Sequence, residues 1–310
     1  MKALQSISSY VARSAPEVLG SAAAAVAPEI SHLQVTCGIS LRRLVARSAA
    51  PKGTILLLQG FPETVAVWKD VIADLVSDYD VHSFDWPGYG LSSRPAPEEF
   101  SYSPTDFSTI LKAYVLASGI DCSRLTIYGT DIGSLPVLLA ALEEPDIAKN
   151  IIVGDFAPFN RPQFMSENLQ NLKSEPTASK ARAYFNNAGT QIPANAHRIG
   201  SPPEAAMNIH PDVVKDMTEG WTDGKFSSGD AFYHYYSHFT RDEDYFEANL
   251  GKLATPVKVI WGELDHYINK GMGEELSQKL GVPLKVLPGI GHYPHAQAPE
   301  LVAAEIRASI

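Results

Sequence analysis

Residues 129–133 read Gly-Thr-Asp-Ile-Gly, with a carboxylate between two glycines. The apolar run LTIY precedes them and the helical pattern of 134–145 follows, so Asp131 stands on a sharp strand-to-helix turn. A serine on such a turn attacks carbonyl carbon. A carboxylate doing so would form an anhydride, a poor route to ester cleavage. Displacement at saturated carbon suits it better, because an aspartate, with an ordinary pKa of about 3.9, is already ionised at neutral pH. The product is an alkyl ester of the protein, which water must split at the Asp131 carbonyl carbon. That second step needs a base and donors for the developing oxyanion. Asp265, in VIWGELDHYI, and His292, in PGIGHYPHAQAPE, each follow a later apolar run and supply an acid–histidine pair. Asp155, in VGDFAP, is the rival acid; Asp265 is favoured.

These residues need elements that bring them to one place. HLQVTCG and ISLRRLVAR read as a hairpin turning near Gly38. GTILLLQG is a continuous apolar run, the mark of a strand buried on both faces. An amphipathic helix over 65–79, a strand at 80–88, a helix over 106–119 and strands at 123–129 and 149–156 follow, with the 133–145 helix between the last two. Strands alternating with helices imply an α/β fold with a mostly parallel central sheet flanked by helices. The rhythm breaks across 158–249, where prolines, glycines and aromatics interrupt short helical stretches, and resumes with TPVKVIWG, VPLKVLPG and a final helix. That stretch is expected to be a helical lid, or cap, inserted before the last two strands and lying over the carboxyl ends where ligands bind in open sheets. The division is then 1–31, an N-terminal helical extension; 32–157 with 250–310, the core; and 158–249, the cap.

Composition narrows the partners. The 310 residues carry a formal net charge of -10, with no basic run interleaved with aromatics, so neither nucleic acid nor an anionic membrane surface is expected. No apolar run is long enough to span a bilayer. Cys37 and Cys122 lie far apart in no metal-binding or redox frame. His234 and His238, four apart, lack a third ligand at motif spacing, so no metal is expected. Polar residues interrupt the N-terminal 29 residues too often for a secretory signal, and a cytoplasmic location is expected. A small-molecule substrate, no cofactor, and a protein that is a monomer or homodimer are expected.

From about residue 32 onward the chain resembles the α/β-hydrolase superfamily, through the Asp131 elbow, the order Asp131, Asp265, His292, the turn Gly60-Phe61-Pro62 and the stretch DWPGYGLSSRP. With aspartate at the elbow it is similar to the branch of epoxide hydrolases and haloalkane or haloacid dehalogenases. The resemblance implies a covalent hydrolase with Asp131 as nucleophile, His292 as base and Asp265 as its partner. The N–H groups of Phe61 and Ile132 would form the oxyanion hole. The dehalogenases usually place Trp after the nucleophile, or Arg in the fluoroacetate type; here Ile132 stands there. The lid stretch AFYHYYSHF offers Tyr235 or Tyr236 as the acid that epoxide opening requires, while Tyr184 is out of register. Gln59, in place of the family's His, and Trp221 are expected at the substrate pocket. Epoxide hydrolysis is therefore the leading expectation, dehalogenation the alternative, and a catalytically degenerate binding protein the third reading.

Overall fold

A computed structural model describes residues 28–36 and 38–310. The expected N-terminal helical extension, 1–31, lies outside the described residues as far as residue 27, and its last residues, Glu29–Ser31, open the first strand instead; Cys37 also lies outside the described residues. Eight strands form one sheet: β1 (Glu29–Thr36), β2 (Ile39–Ala46), β3 (Thr54–Leu58), β4 (Asp80–Phe84), β5 (Leu125–Thr130), β6 (Asn150–Gly154), β7 (Val257–Gly262) and β8 (Leu284–Leu287). Their order is β1-β2-β4-β3-β5-β6-β7-β8. β1 and β2 form the expected antiparallel hairpin, β2 joins β4 antiparallel, and every later pairing is parallel.

Parallel strands covered on both faces must be apolar throughout. In β3, Ile55 and Leu57 join one cluster, with Val71, Ile72 and Leu75 of α1 (Lys69–Leu75) and Val302, Ala303 and Ile306 on a C-terminal helix. The intervening Leu56 and Leu58 join the other, with Phe107, Ile110 and Leu111 of α2 (Pro104–Ala117) and Leu135 and Leu138 of α3 (Ser134–Glu143). The strand period of two thus sends alternate side chains into the two layers. The helix expected over 65–79 is shorter: Val65–Trp68 forms a tight 3₁₀ turn before α1, with the Val65 N–H held by Asp85 Oδ1 at 2.8 Å.

Between β6 and β7 the chain leaves the sheet for α4 (Glu167–Gln170), α5 (Thr177–Asn187), α6 (Gln191–Ile199), α7 (Pro211–Glu219) and α8 (Ser228–Asn249). α8 is the longest of these and starts from a capping box, Ser227 with Asp230. Asp230 also accepts from Arg182 and Asn186, at 2.6 and 3.0 Å, and so ties α5 to α8. α9 (Gly271–Leu280), which sequence periodicity did not single out, joins β7 to β8, and α10 (Pro294–Gln297) and α11 (Pro299–Arg307) close the chain. No helix among the described residues is long and apolar enough to cross a membrane.

Arg42 ties the helical segment to the sheet. Buried on β2, it reaches Asp85 and makes two hydrogen bonds to Asp216 of α7, at 2.8 and 2.7 Å. Removing one partner of a buried ion pair strands the others, at a cost of about 3–5 kcal/mol. Arg42→Ala is therefore expected to lower the urea midpoint strongly. A shift matching that of an exposed substitution such as Lys180→Ala would remove the network from the account of stability.

Candidate active site

β5, β6, β7 and β8 run parallel, so the loops after them open at one edge of the sheet. Asp131, Asp155, Asp265 and His292 stand in those loops. The frame around Asp131 has a steric reason. A Cβ on Gly133 would lie 2.8 Å from the Leu58 carbonyl oxygen, and one on Gly60 would lie 2.3 Å from the Asp131 Cβ. Asp131 itself takes the left-handed conformation, φ 50°, which only a tight turn imposes on a residue with a side chain. That turn presents the carboxylate away from the sheet.

Asp131 Oδ2 accepts the Phe61 N–H at 2.8 Å. Its Oδ1 lies 3.8 Å from His292 Nε2, too long for a hydrogen bond. His292 Nδ1 lies 2.8 Å from Asp265 Oδ2, and because a carboxylate only accepts, Nδ1 carries the proton. Asp265 Oδ1 accepts the N–H groups of Tyr267 and Ile268 at 2.8 and 3.0 Å, which fixes its orientation. Burial works against a charged His292, but Asp265 and Asp131 outweigh it and hold the imidazole well above its ordinary pKa. Asp155, also at positive φ and fully buried, accepts the Gly262 N–H at 2.8 Å instead and makes no hydrogen bond to His292. Burial, and then Asp265, push its carboxyl well above the ordinary range. Asp265 is thus the acid in contact with the histidine.

Asp131 and His292 open onto a cavity of about 310 Å³. Phe61, Phe185 and Phe232 form its aromatic side, with Phe61 stacked on Phe232 at 3.9 Å. Exposed Asn168, Gln191 and Asn195 lie on its rim, and among the described residues no lysine or arginine lines it. The expected tyrosines do not line this cavity. Tyr235 donates its hydroxyl to the Ile132 carbonyl at 3.1 Å, and Tyr235 and Tyr236 share with Asp131 and Ile132 a second, water-sized pocket. Helical periodicity fixes which residues share a face, but not which neighbour that face meets. Gln59 and Trp221 also lie off the cavity. The Gln59 amide donates to the Phe84 carbonyl and accepts from Trp68 Nε1, at 2.8 and 2.9 Å, while Trp221 packs against Phe61.

The tyrosines that do line the cavity are Tyr184, Tyr267 and Tyr293. Tyr267 and Tyr293 follow Asp265 and His292 by two residues and one, so their places could have been inferred from the chain. Tyr293 donates to the Phe61 carbonyl at 3.1 Å and Tyr267 to the Ala196 carbonyl at 3.3 Å. Tyr184, passed over as out of register, is 62% exposed at the rim.

The family model described as alpha/beta hydrolase fold matches residues 53–299. Epoxide hydrolase 4 of Mus musculus is 24% identical over 273 residues, covering 83% of this chain and 73% of that protein. Fluoroacetate dehalogenase of a Burkholderia species is 32% identical over 170 residues, 54% of this chain and 50% of that one. The chain spans about half the length of some of the curated relatives it matches. Among solved structures, an epoxide hydrolase mutant of Vigna radiata superposes with a TM-score of 0.73 at 18% identity, covering 91% of this chain and 98% of that one.

Proposed function

The chain belongs to the alpha/beta hydrolase fold family, and on that footing we propose that it hydrolyses epoxides to diols through an ester on Asp131. The observation that carries the reading is the pair of contacts at one carboxylate. Oδ2 is held at 2.8 Å by the Phe61 N–H, and Oδ1 faces His292 Nε2 at 3.8 Å. In the first half-reaction a carboxylate oxygen attacks an epoxide carbon, the carbon–oxygen bond opposite breaks, and the released alkoxide takes a proton. In the second, His292 takes a proton from water as the hydroxide adds to the Asp131 carbonyl carbon. The oxyanion is held by the N–H groups of Phe61 and Ile132, and its collapse breaks the ester bond. The departing alkoxide takes the proton from His292 to give the diol, and the Asp131 carboxyl gives up its own proton, which replaces the one spent on the first alkoxide.

In-line displacement puts the leaving oxygen on the far side of the attacked carbon from Asp131. Donors from the helical segment are therefore placed to meet it, and Tyr184 of α5 is the titratable one on the cavity wall. Tyr235, bonded to Ile132, is assigned a structural role in place of the acid role its spacing first suggested. Tyr235→Phe is expected to cost about 0.5–1.5 kcal/mol of stability and to leave turnover within about tenfold. A fall beyond about a hundredfold in single-turnover ester formation would return the acid role to Tyr235.

The similarity to a fluoroacetate dehalogenase favours a second reading, halide displacement by the same carboxylate. The cavity wall, without lysine or arginine, suits a neutral haloalkane better than a halocarboxylate. Under either reading the substrate is neutral and largely apolar, with its polar end toward the amide rim. Assay of diol and free halide from matched epoxides and haloalkanes separates them: halide release without diol formation reverses the order. Ligand binding without turnover of either class, unaltered in His292→Gln, would leave the binding-protein reading.

A further inference from the structure

Close beside the reacting groups, but outside the cavity wall, lies a second carboxylate–histidine cluster. Glu63, 1% exposed, follows Phe61 and Pro62 in the turn whose N–H meets Asp131. It is bonded to His197 Nε2 at 2.8 Å and to His295 Nε2 at 2.9 and 3.0 Å. His295 is turned to Glu63 and not to the neighbouring His292 site. Both histidines are buried, and neither Nδ1 has a hydrogen-bond partner among the described residues. Burial alone would raise the Glu63 pKa, but His295, followed by the hydrogen bond from His197, outweighs it and brings the group to about 2.

Three elements meet at this carboxylate: the 60–64 turn, α6 through His197, and α10 through His295, three residues past His292. Each contributes a neighbouring residue to the cavity wall, namely Phe61, Ala196 and Tyr293. Other bonds stitch the same three pieces together. Tyr293 donates to the Phe61 carbonyl, and the Gly200 carbonyl at the end of α6 accepts the His292 N–H at 3.0 Å. Apolar side chains could pin the pieces without desolvating a carboxylate, which costs several kcal/mol. The ionised group adds direction, because it accepts from both rings at once and fixes their angles to the turn.

Resting on the ester reading above, we propose that Glu63 is a positioning residue for the second half-reaction: it aims the Phe61 N–H at the Asp131 oxygen and keeps the His292 loop in register with it. Ester formation draws on a carboxylate that is already ionised and gains nothing from that donor. Ester hydrolysis builds charge on the very oxygen the donor faces. A misaimed Phe61 N–H therefore slows the second step selectively.

The test is quenched-flow intact-protein mass spectrometry with styrene oxide and 1-bromohexane as probes, on wild type, Glu63→Gln and His292→Gln, with thermal melts alongside. Glu63→Gln is expected to slow ester hydrolysis about 10- to 100-fold, part of the effect of losing an oxyanion donor, and to leave ester formation within about threefold. The ester then accumulates at steady state. A folded Glu63→Gln with both rates unchanged, or with both reduced in equal proportion, overturns the proposal. If Glu63→Gln does not fold, His197→Gln and His295→Gln are measured in the same way; selective slowing in either supports the positioning role, and none in either overturns it. No ester on His292→Gln from either probe defeats the ester reading itself, and the proposal falls with it.

Discussion

Replacing His292 by glutamine is expected to halt turnover and leave the protein carrying its own intermediate. On the proposed route Asp131 attacks without a base, so the first half-reaction should survive the substitution. Hydrolysis loses the group that takes the water proton, and general-base catalysis is worth about 10²- to 10⁴-fold. The trapped mass also identifies the substrate class. An epoxide adds its whole mass, because opening loses no atom, whereas a haloalkane adds its mass less one hydrogen halide. Peptide mapping should place the adduct on the segment containing Asp131. A variant that turns over at the wild-type rate, or one that binds substrate and never gains mass, would refute the covalent route.

Asp131→Asn is expected to remove both half-reactions, lowering kcat by about 10⁴-fold or more, with no adduct formed. Asparagine is the informative replacement because of the backbone. At φ 50° an alanine adds strain that confuses lost chemistry with lost fold, while asparagine visits this conformation readily and keeps an oxygen to accept the Phe61 N–H. The melting temperature should therefore stay within a few degrees of wild type. An adduct that still forms in this variant would assign the nucleophile elsewhere, with Asp155 and Asp265 the carboxylates to examine next.

Much of this arrangement was legible in the chain. The apolar runs at 54–58, 125–130, 150–154 and 257–262 announce strands buried on both faces, and parallel strands deliver their following loops to one edge. Asp131, Asp265 and His292 could be brought together on that ground alone. Asp155 and Asp265 follow adjacent strands, and only side-chain direction, which the sequence does not carry, separates them. Residues of the helical segment were the hardest to place. Tyr235 and Tyr236 sit side by side on α8, and their facing depends on how that helix lies across α2 and α3. His197 and His295 lie 134 and 232 positions from Glu63, and no local pattern links residues at such distances.

His292 lies between two carboxylates, which gives the site an interlock. While Asp131 is free, its charge and that of Asp265 keep a proton on the imidazole against burial. On the proposed route, esterification would erase one of the two charges, so burial would then be opposed by Asp265 alone. The Nε2 proton, held less tightly, would pass to the opened substrate's alkoxide or to solvent. The base would thereby be released by the completion of the step before it. On that route an empty site is guarded against premature activation of water, and a loaded one is committed to discharge.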